Sequence, residues 1–210
     1  MSSPENDNER RFGSIDEVYA VGAVIVAWNL CEGAFAQLLL RTLRVEWQTA
    51  QRTFQLLGNQ SRVDLLRLEG RRTLPADEFD RLDSCLTAYS ICLENRNLVA
   101  HSQINMNAKD GGLSLQKPST KDRLTMSLYR VPTADMMGVA NTIFDLSQHA
   151  FRLSLAIWAG PSRRLGLSNG QYVLAPLPDK FPRPRKLSPL PPEDPPASQP
   201  PPQSSQASPQ

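Results

Sequence analysis

Apolar residues recur every three or four positions along most of this chain. From Val18 through Val21, Val24, Ile25, Trp28, Cys31, Phe35, Leu38 and Leu39 to Thr42 the stripe is wide, which predicts a central bundle helix running to about Arg44. Ser14 and Glu17 frame its start as a capping box. Phe54, Leu57, Val63 and Leu66 predict a second helix from about Glu46 to Arg71, which Gly58-Asn59-Gln60-Ser61 kinks or interrupts. A third helix starts after Pro75, with acids in its first turn, and uses Phe79, Leu82, Leu86, Tyr89, Cys92, Leu93 and Val99 to reach about His101. The period then drops to two: Ile104 and Met106, Leu113 and Leu115, then Leu124, Met126 and Leu128. Lys109-Asp110-Gly111-Gly112 supplies a turn, so a β-hairpin or three-stranded insert is expected over about 103–130. Pro132 to Asp135 restart a helix that Met137, Ala140, Ile143, Phe144, Leu146, Phe151, Leu155 and Trp158 carry to Ala159, where Gly160-Pro161 stops it. The expected fold is mainly α: an up-and-down four-helix bundle with a small β-hairpin insert between helices 3 and 4.

Composition divides the rest. Residues 1–12 are polar and expected to be disordered, 13–160 form the bundle, and 161–175 connect it to a tail. The tail, 176–210, holds 13 of the 18 prolines and one aromatic residue, Phe181, too little to build a core. Lys186-Leu187-Ser188-Pro189-Leu190-Pro191-Pro192 has the spacing of an SH3-type ligand, but a plain flexible tail is the simpler reading. A net charge of +2 excludes a uniformly basic nucleic-acid binder and leaves only a local patch. Cys31, Cys85 and Cys92 lie in apolar helical surroundings, as reduced structural thiols of a cytosolic protein would. Met1 to Arg11 has no apolar signal core, and the apolar stretch Val18–Ala27 is too short to span a bilayer. A soluble cytoplasmic protein is expected.

The chemistry concentrates at Arg96-Asn97-Leu98-Val99-Ala100-His101, near the end of the third helix. Histidine exchanges a proton near neutral pH, and arginine holds a phosphate with a planar fork of donors. Five residues apart on a straight helix, the two stand about 140° apart and do not share a face, whereas Asn97 and His101 do. Fraying at His101, or pairing across two protomers, would bring them together.

This R-polar-x-x-x-H pattern in a helical domain resembles the HEPN superfamily of prokaryotic toxins and defence ribonucleases, over about Ser14 to Ala159. The resemblance implies a metal-independent endoribonuclease that needs no cofactor and acts as a homodimer with a composite site. His101 would be the general acid or base, Arg96 would stabilise the phosphorane-like transition state, and Asn97 would orient either the histidine or a phosphate. It also implies a possible nucleotidyltransferase-like antitoxin partner. The alternative is a non-catalytic module of the same fold that binds nucleotide, RNA or protein.

Other residues carry two readings each. Glu32 supports Arg96 or His101, or it pairs with Arg62. Asn59, in the break of the second helix, is a weaker candidate of the same kind. Glu94 supports the site or simply pairs with Arg96, with His101 then only a cation favoured at a helix C-terminus. Arg62 and Arg67, with Arg52, Arg71 and Arg72, guide RNA toward the site or form a solvated face paired with acids such as Asp64 and Glu69. His149 reads as a partly exposed helix residue, and no H-x-x-x-H or C-x-x-C pair suggests a metal. The insert, starting two residues after His101, is expected to border the catalytic groove.

Overall fold

The computed structural model describes residues 14–105, 113–118, 126–166 and 170–190. It is mainly helical, with α1 (Ile15–Leu43), α2 (Trp47–Leu56), α3 (Asn59–Thr73), α4 (Ala76–His101) and α5 (Thr133–Ala159). Small antiparallel strand pairs complete it: β1 (Gln103–Asn105), β2 (Leu113–Pro118) and β3 (Met126–Val131) form one sheet, and β4 (Arg164–Gly166) and β5 (Tyr172–Leu174) form a hairpin. The expected starts and stops have visible causes. Ser14 Oγ accepts from the Glu17 amide while the Glu17 carboxylate accepts from the Ser14 amide, closing the capping box. Gly160 ends α5 at φ +64°, a conformation that costs glycine nothing.

The second expected helix is two helices, and its break does more than kink. Phe54, at the end of α2, is tied through Arg62 to the middle of α1 at Glu32. Thus α2 runs back along α1, and α3 turns again at Gly58 to run beside α1 up to its end. There Leu43 and Arg44 line a pocket with Arg72 and Thr73. The extra reversal changes every direction that follows. Asn59 meets Tyr89 and Arg67 meets Asp83, so α4 is antiparallel to α3. Arg41 stacks 4.1 Å over the Trp158 ring, and Tyr19 and Ala23 share a groove with Met137 and Ala140, so α5 is parallel to α1. The end of the molecule that holds Ser14 is its lower end.

The core is one cluster around α1. Trp28 and Phe35 pack on the ring of Tyr89 at centroid distances of 5.0 and 4.2 Å. α3 lies close to α4 because Gly70 has no side chain; a β-carbon there would stand 2.5 Å from Leu82 Cδ2. α1 is long and apolar enough to cross a bilayer, but more than half of its most apolar stretch is buried in this core. At the lower end the three-stranded meander pairs Ile104 with Leu115 and Leu115 with Tyr129, turning Leu113 and Leu115 into the core. The expected turn at Lys109–Gly112, and residues Met106 and Leu124, lie outside the described residues, as do 1–12.

The proline-rich segment requires a correction. Residues 176–190, expected to begin a disordered tail, form an extended strap along α4. Arg81 Nε donates to Pro178 O, Ser84 Oγ donates to Phe181 O, and Phe181 is buried against the edge of the His149 ring. Asn95 grips the strap twice: its Nδ2 donates to Arg185 O and its Oδ1 accepts from Leu187 N. Lys180 pairs with Asp80 and Lys186 with Glu94, and Leu190 N donates to Leu128 O on the β3 edge. Three apolar side chains, Leu177, Phe181 and Leu187, suffice because the prolines hold the segment extended and reduce the entropy lost on docking. Residues 191–210, including the end of the SH3-like motif, lie outside the described residues.

Candidate functional site

The last two turns of α4 place their side chains by ordinary helical geometry. Asn95, Leu98 and Val99 turn inward and are buried; Arg96 and Asn97 are half-buried; Ala100 and His101 are exposed. α4 stays helical through His101 and is capped by Ser102, whose amide donates to Leu98 O. Arg96 stands two turns beyond Tyr89 on the same stripe of α4. Tyr89 is already opposite Asn59, the first residue of α3. Arg96 and His101 therefore occupy the continuation of the α3–α4 seam, past the point where α3 begins.

Arg96 Nη1 donates to Asn97 Oδ1 at 3.1 Å and lies 3.5 Å from His101 Nε2. One helix thus brings the pair together, contrary to the expectation from backbone angle alone. The 140° separation concerns the β-carbons. Side chains lean toward the helix N-terminus, so the histidine ring reaches back over the preceding turn, and the long arginine arm closes the remaining gap. Neither fraying of α4 nor a second protomer is needed. At 3.5 Å the contact is weak, and both groups retain donor capacity for a shared anionic oxygen. Among the described residues no carboxylate pairs with Arg96, and the buried atoms Arg96 Nε and Ser102 Oγ have no hydrogen-bond partner.

The other expected site residues lie elsewhere. Glu32 pairs with Arg62 at 2.9 Å rather than with Arg96 or His101. Arg62 also donates to Phe54 O and Asn59 Oδ1 and stacks 3.9 Å over the Phe54 ring. Asn59 Oδ1 accepts from the Tyr89 hydroxyl as well. Burial pushes the Tyr89 phenol up, and the Arg62 hydrogen bond opposes this in part. Arg67 pairs with Asp83 at 2.6 Å, Arg72 with Glu69 at 2.7 Å, and Arg71 lies over Phe79. These arginines are engaged within the fold, and the structure does not gather them into a track leading to Arg96. Glu94 faces Lys186 of the strap, not Arg96.

The thiols of Cys31, Cys85 and Cys92 are free and buried. Desolvation raises all three, Cys92 to about 12, which keeps them neutral. His149 is half-buried, with its Nε2 unpartnered among the described residues. Burial and then Arg152 lower its pKa, while Asp179 acts the other way. No group of three or more metal-ligating side chains occurs among the described residues.

Sequence reasoning missed two residues. Asn95 was legible in principle, since a polar side chain spaced three and four from Cys92, Leu98 and Val99 must be buried and must find partners. Ser102, adjoining His101 with a buried free hydroxyl, carries no sequence signal. No family model, curated protein or solved structure matches this chain.

Proposed function

We propose that the lower end of α4 is the catalytic centre of a HEPN-type, metal-independent endoribonuclease, of the kind that serves as a toxin or defence effector. The observation that carries this reading is the approach of Arg96 Nη1 to His101 Nε2, 3.5 Å apart on an exposed edge. His101 takes the proton from a ribose 2′-hydroxyl as that oxygen attacks phosphorus. Arg96, steadied by Asn97, balances the charge on the pentacoordinate phosphorane. The bond from phosphorus to the 5′-oxygen breaks, and a proton passes to that oxygen through water. The products are a 2′,3′-cyclic phosphate and a 5′-hydroxyl end. RNA is the substrate class, a homodimer the expected assembly, and a nucleotidyltransferase-like antitoxin the expected regulator.

The test is digestion of total RNA in EDTA by the full chain and by His101→Ala, with mapping of the new ends. Cleavage leaving cyclic phosphates is expected, with the variant slower by roughly 10²–10⁴-fold, as for loss of a general acid–base group. RNA binding without cleavage, retained in Arg96→Ala and His101→Ala, would replace the enzyme with a non-catalytic binding module.

A further inference from the structure

A polyproline II helix turns once every three residues, so every third side chain shares one ridge. The strap shows this period. Phe181 is buried, Pro184 and Leu187 are half-buried, and the two residues after each of them are exposed. A β-strand would alternate by two, which this stretch does not do. The rise agrees. From Ser84 to Asn95, α4 advances about 16 Å. The strap covers that span from Phe181 to about Lys186, at roughly 3 Å per residue, as polyproline II does. One ridge of the strap therefore packs on the fold and two face solvent. The first outward ridge carries Arg183, Lys186 and Pro189, and the second carries Pro182, Arg185 and Ser188.

We propose that Lys186 and Pro189, with the two outward ridges around them, are a docking site for a protein domain that binds polyproline II. Its groove is of the SH3 type, lined by aromatic rings with an acidic pocket beside them. Lys186-Leu187-Ser188-Pro189-Leu190-Pro191-Pro192 sets a cation three residues before the first proline of a Pro-x-x-Pro pair. A groove meets two ridges of a three-sided ligand and leaves the third free. In this motif the free positions are Leu187 and Leu190, and these are the ones the fold holds. Leu187 packs on the core with its amide on Asn95 Oδ1, and the Leu190 amide donates to Leu128 O. The strap is thus docked by the ridge that a partner does not read. The side chains of Arg185 and Lys186 are 84% and 62% exposed, which suits an acidic pocket. The segment is already extended, so the partner has little left to order. The outward ridges mix prolines with cations and carry no aromatic ring, which favours a polyproline groove over an RNA track. This surface is independent of the ribonuclease reading, since it uses neither Arg96 nor His101.

The test is titration of the full chain into an isotope-labelled SH3 domain that prefers basic-x-x-Pro-x-x-Pro ligands. Binding is read from nuclear magnetic resonance shifts in its groove, with circular dichroism to check the folding of each variant. Saturable binding is expected for the wild type, and at least about 10-fold weaker binding for Lys186→Ala and for Pro189→Ala. Leu187→Ala, on the docked ridge, should bind no more weakly than the wild type. Glu94 lies outside the motif and holds Lys186, so Glu94→Gln should bind roughly 2–5-fold more tightly, the worth of an exposed ion pair. A full chain that does not bind overturns the inference, even where a peptide of residues 180–195 binds, because the fold would then hide the motif. Equal losses in Leu187→Ala and Pro189→Ala, or a Glu94→Gln variant that binds no tighter, overturn it too. Binding of total RNA or phosphatidylserine vesicles that Lys186→Ala abolishes, with none to the SH3 domain, would give the ridges to a polyanion instead.

Discussion

Two places along one stripe of α4 use nearly the same side chains to opposite ends. At Tyr89, Arg62 and Asn59 of α3 close over the helix. There Asn59 Oδ1 takes two donors, and the arginine has a carboxylate, a carbonyl and an aromatic ring. Two turns on, Arg96 and Asn97 have no α3 above them, and the neighbour is an exposed histidine instead of an acid. The first cluster spends its arginine on holding three helices together. The second leaves an arginine without a carboxylate among the described residues, which is costly for stability and useful for chemistry. Where the covering helix starts thus decides whether the arginine–asparagine pair is closed over, as at Arg62 and Asn59, or left open, as at Arg96 and Asn97.

This contrast can be broken experimentally. On the proposed ribonuclease reading, the largest effect is the loss of cleavage in His101→Ala, with the thermal midpoint unchanged because the side chain is exposed. Arg62→Ala should do the reverse. It strands the Glu32 carboxylate and the acceptors Phe54 O and Asn59 Oδ1, and should cost about 2–3 kcal/mol. For a chain of this size that lowers the midpoint by roughly 5–10 °C, read by calorimetry, while cleavage per folded molecule is preserved. Equal effects of the two variants on stability would erase the distinction.

Asn95→Ala comes next. It leaves Leu187 N and Arg185 O without partners and should cost about 1–2 kcal/mol, concentrated in the strap. Trypsin should then cut after Arg185 or Lys186 faster than in the wild type. Equal cutting rates would show that the side-chain grip is dispensable.

The smallest effect belongs to His149. Its pKa is lowered in the fold, so the unfolded chain binds more protons once the pH drops below the ordinary histidine value near 6.5. Stability is therefore complete above that value and declines as the pH falls through the lowered one. His149→Leu should show a shallower fall in thermal midpoint between pH 7.5 and pH 5, with the wild type steeper. A parallel pair of curves would remove His149 as the cause.

Local patterns were legible and long-range ones were not. The capping box, the Gly160 stop and the insert strands follow from neighbours in sequence, where a few residues decide the conformation. The reversal at Gly58 did not follow. The same glycine and polar residues serve a kink or a hairpin, and the choice rests on Arg62 reaching Glu32, thirty residues away. The strap was missed because composition counts apolar residues, whereas Asn95 holds the backbone. Arg96, Asn97 and His101 stand out in the sequence by type and spacing alone. Their distance depended on side-chain reach, which the angle between helix positions does not contain.

The parallel pairing of α1 with α5 has a consequence for synthesis. α5 begins about 90 residues after α1 ends, so at typical elongation rates roughly 5–20 s separate the two on the ribosome. During that interval a 29-residue helix, apolar enough by composition to be mistaken for a membrane span, lacks its main companion. Until α5 emerges, α1 is thus exposed to misdirected targeting and aggregation, and holdase protection matters in that interval.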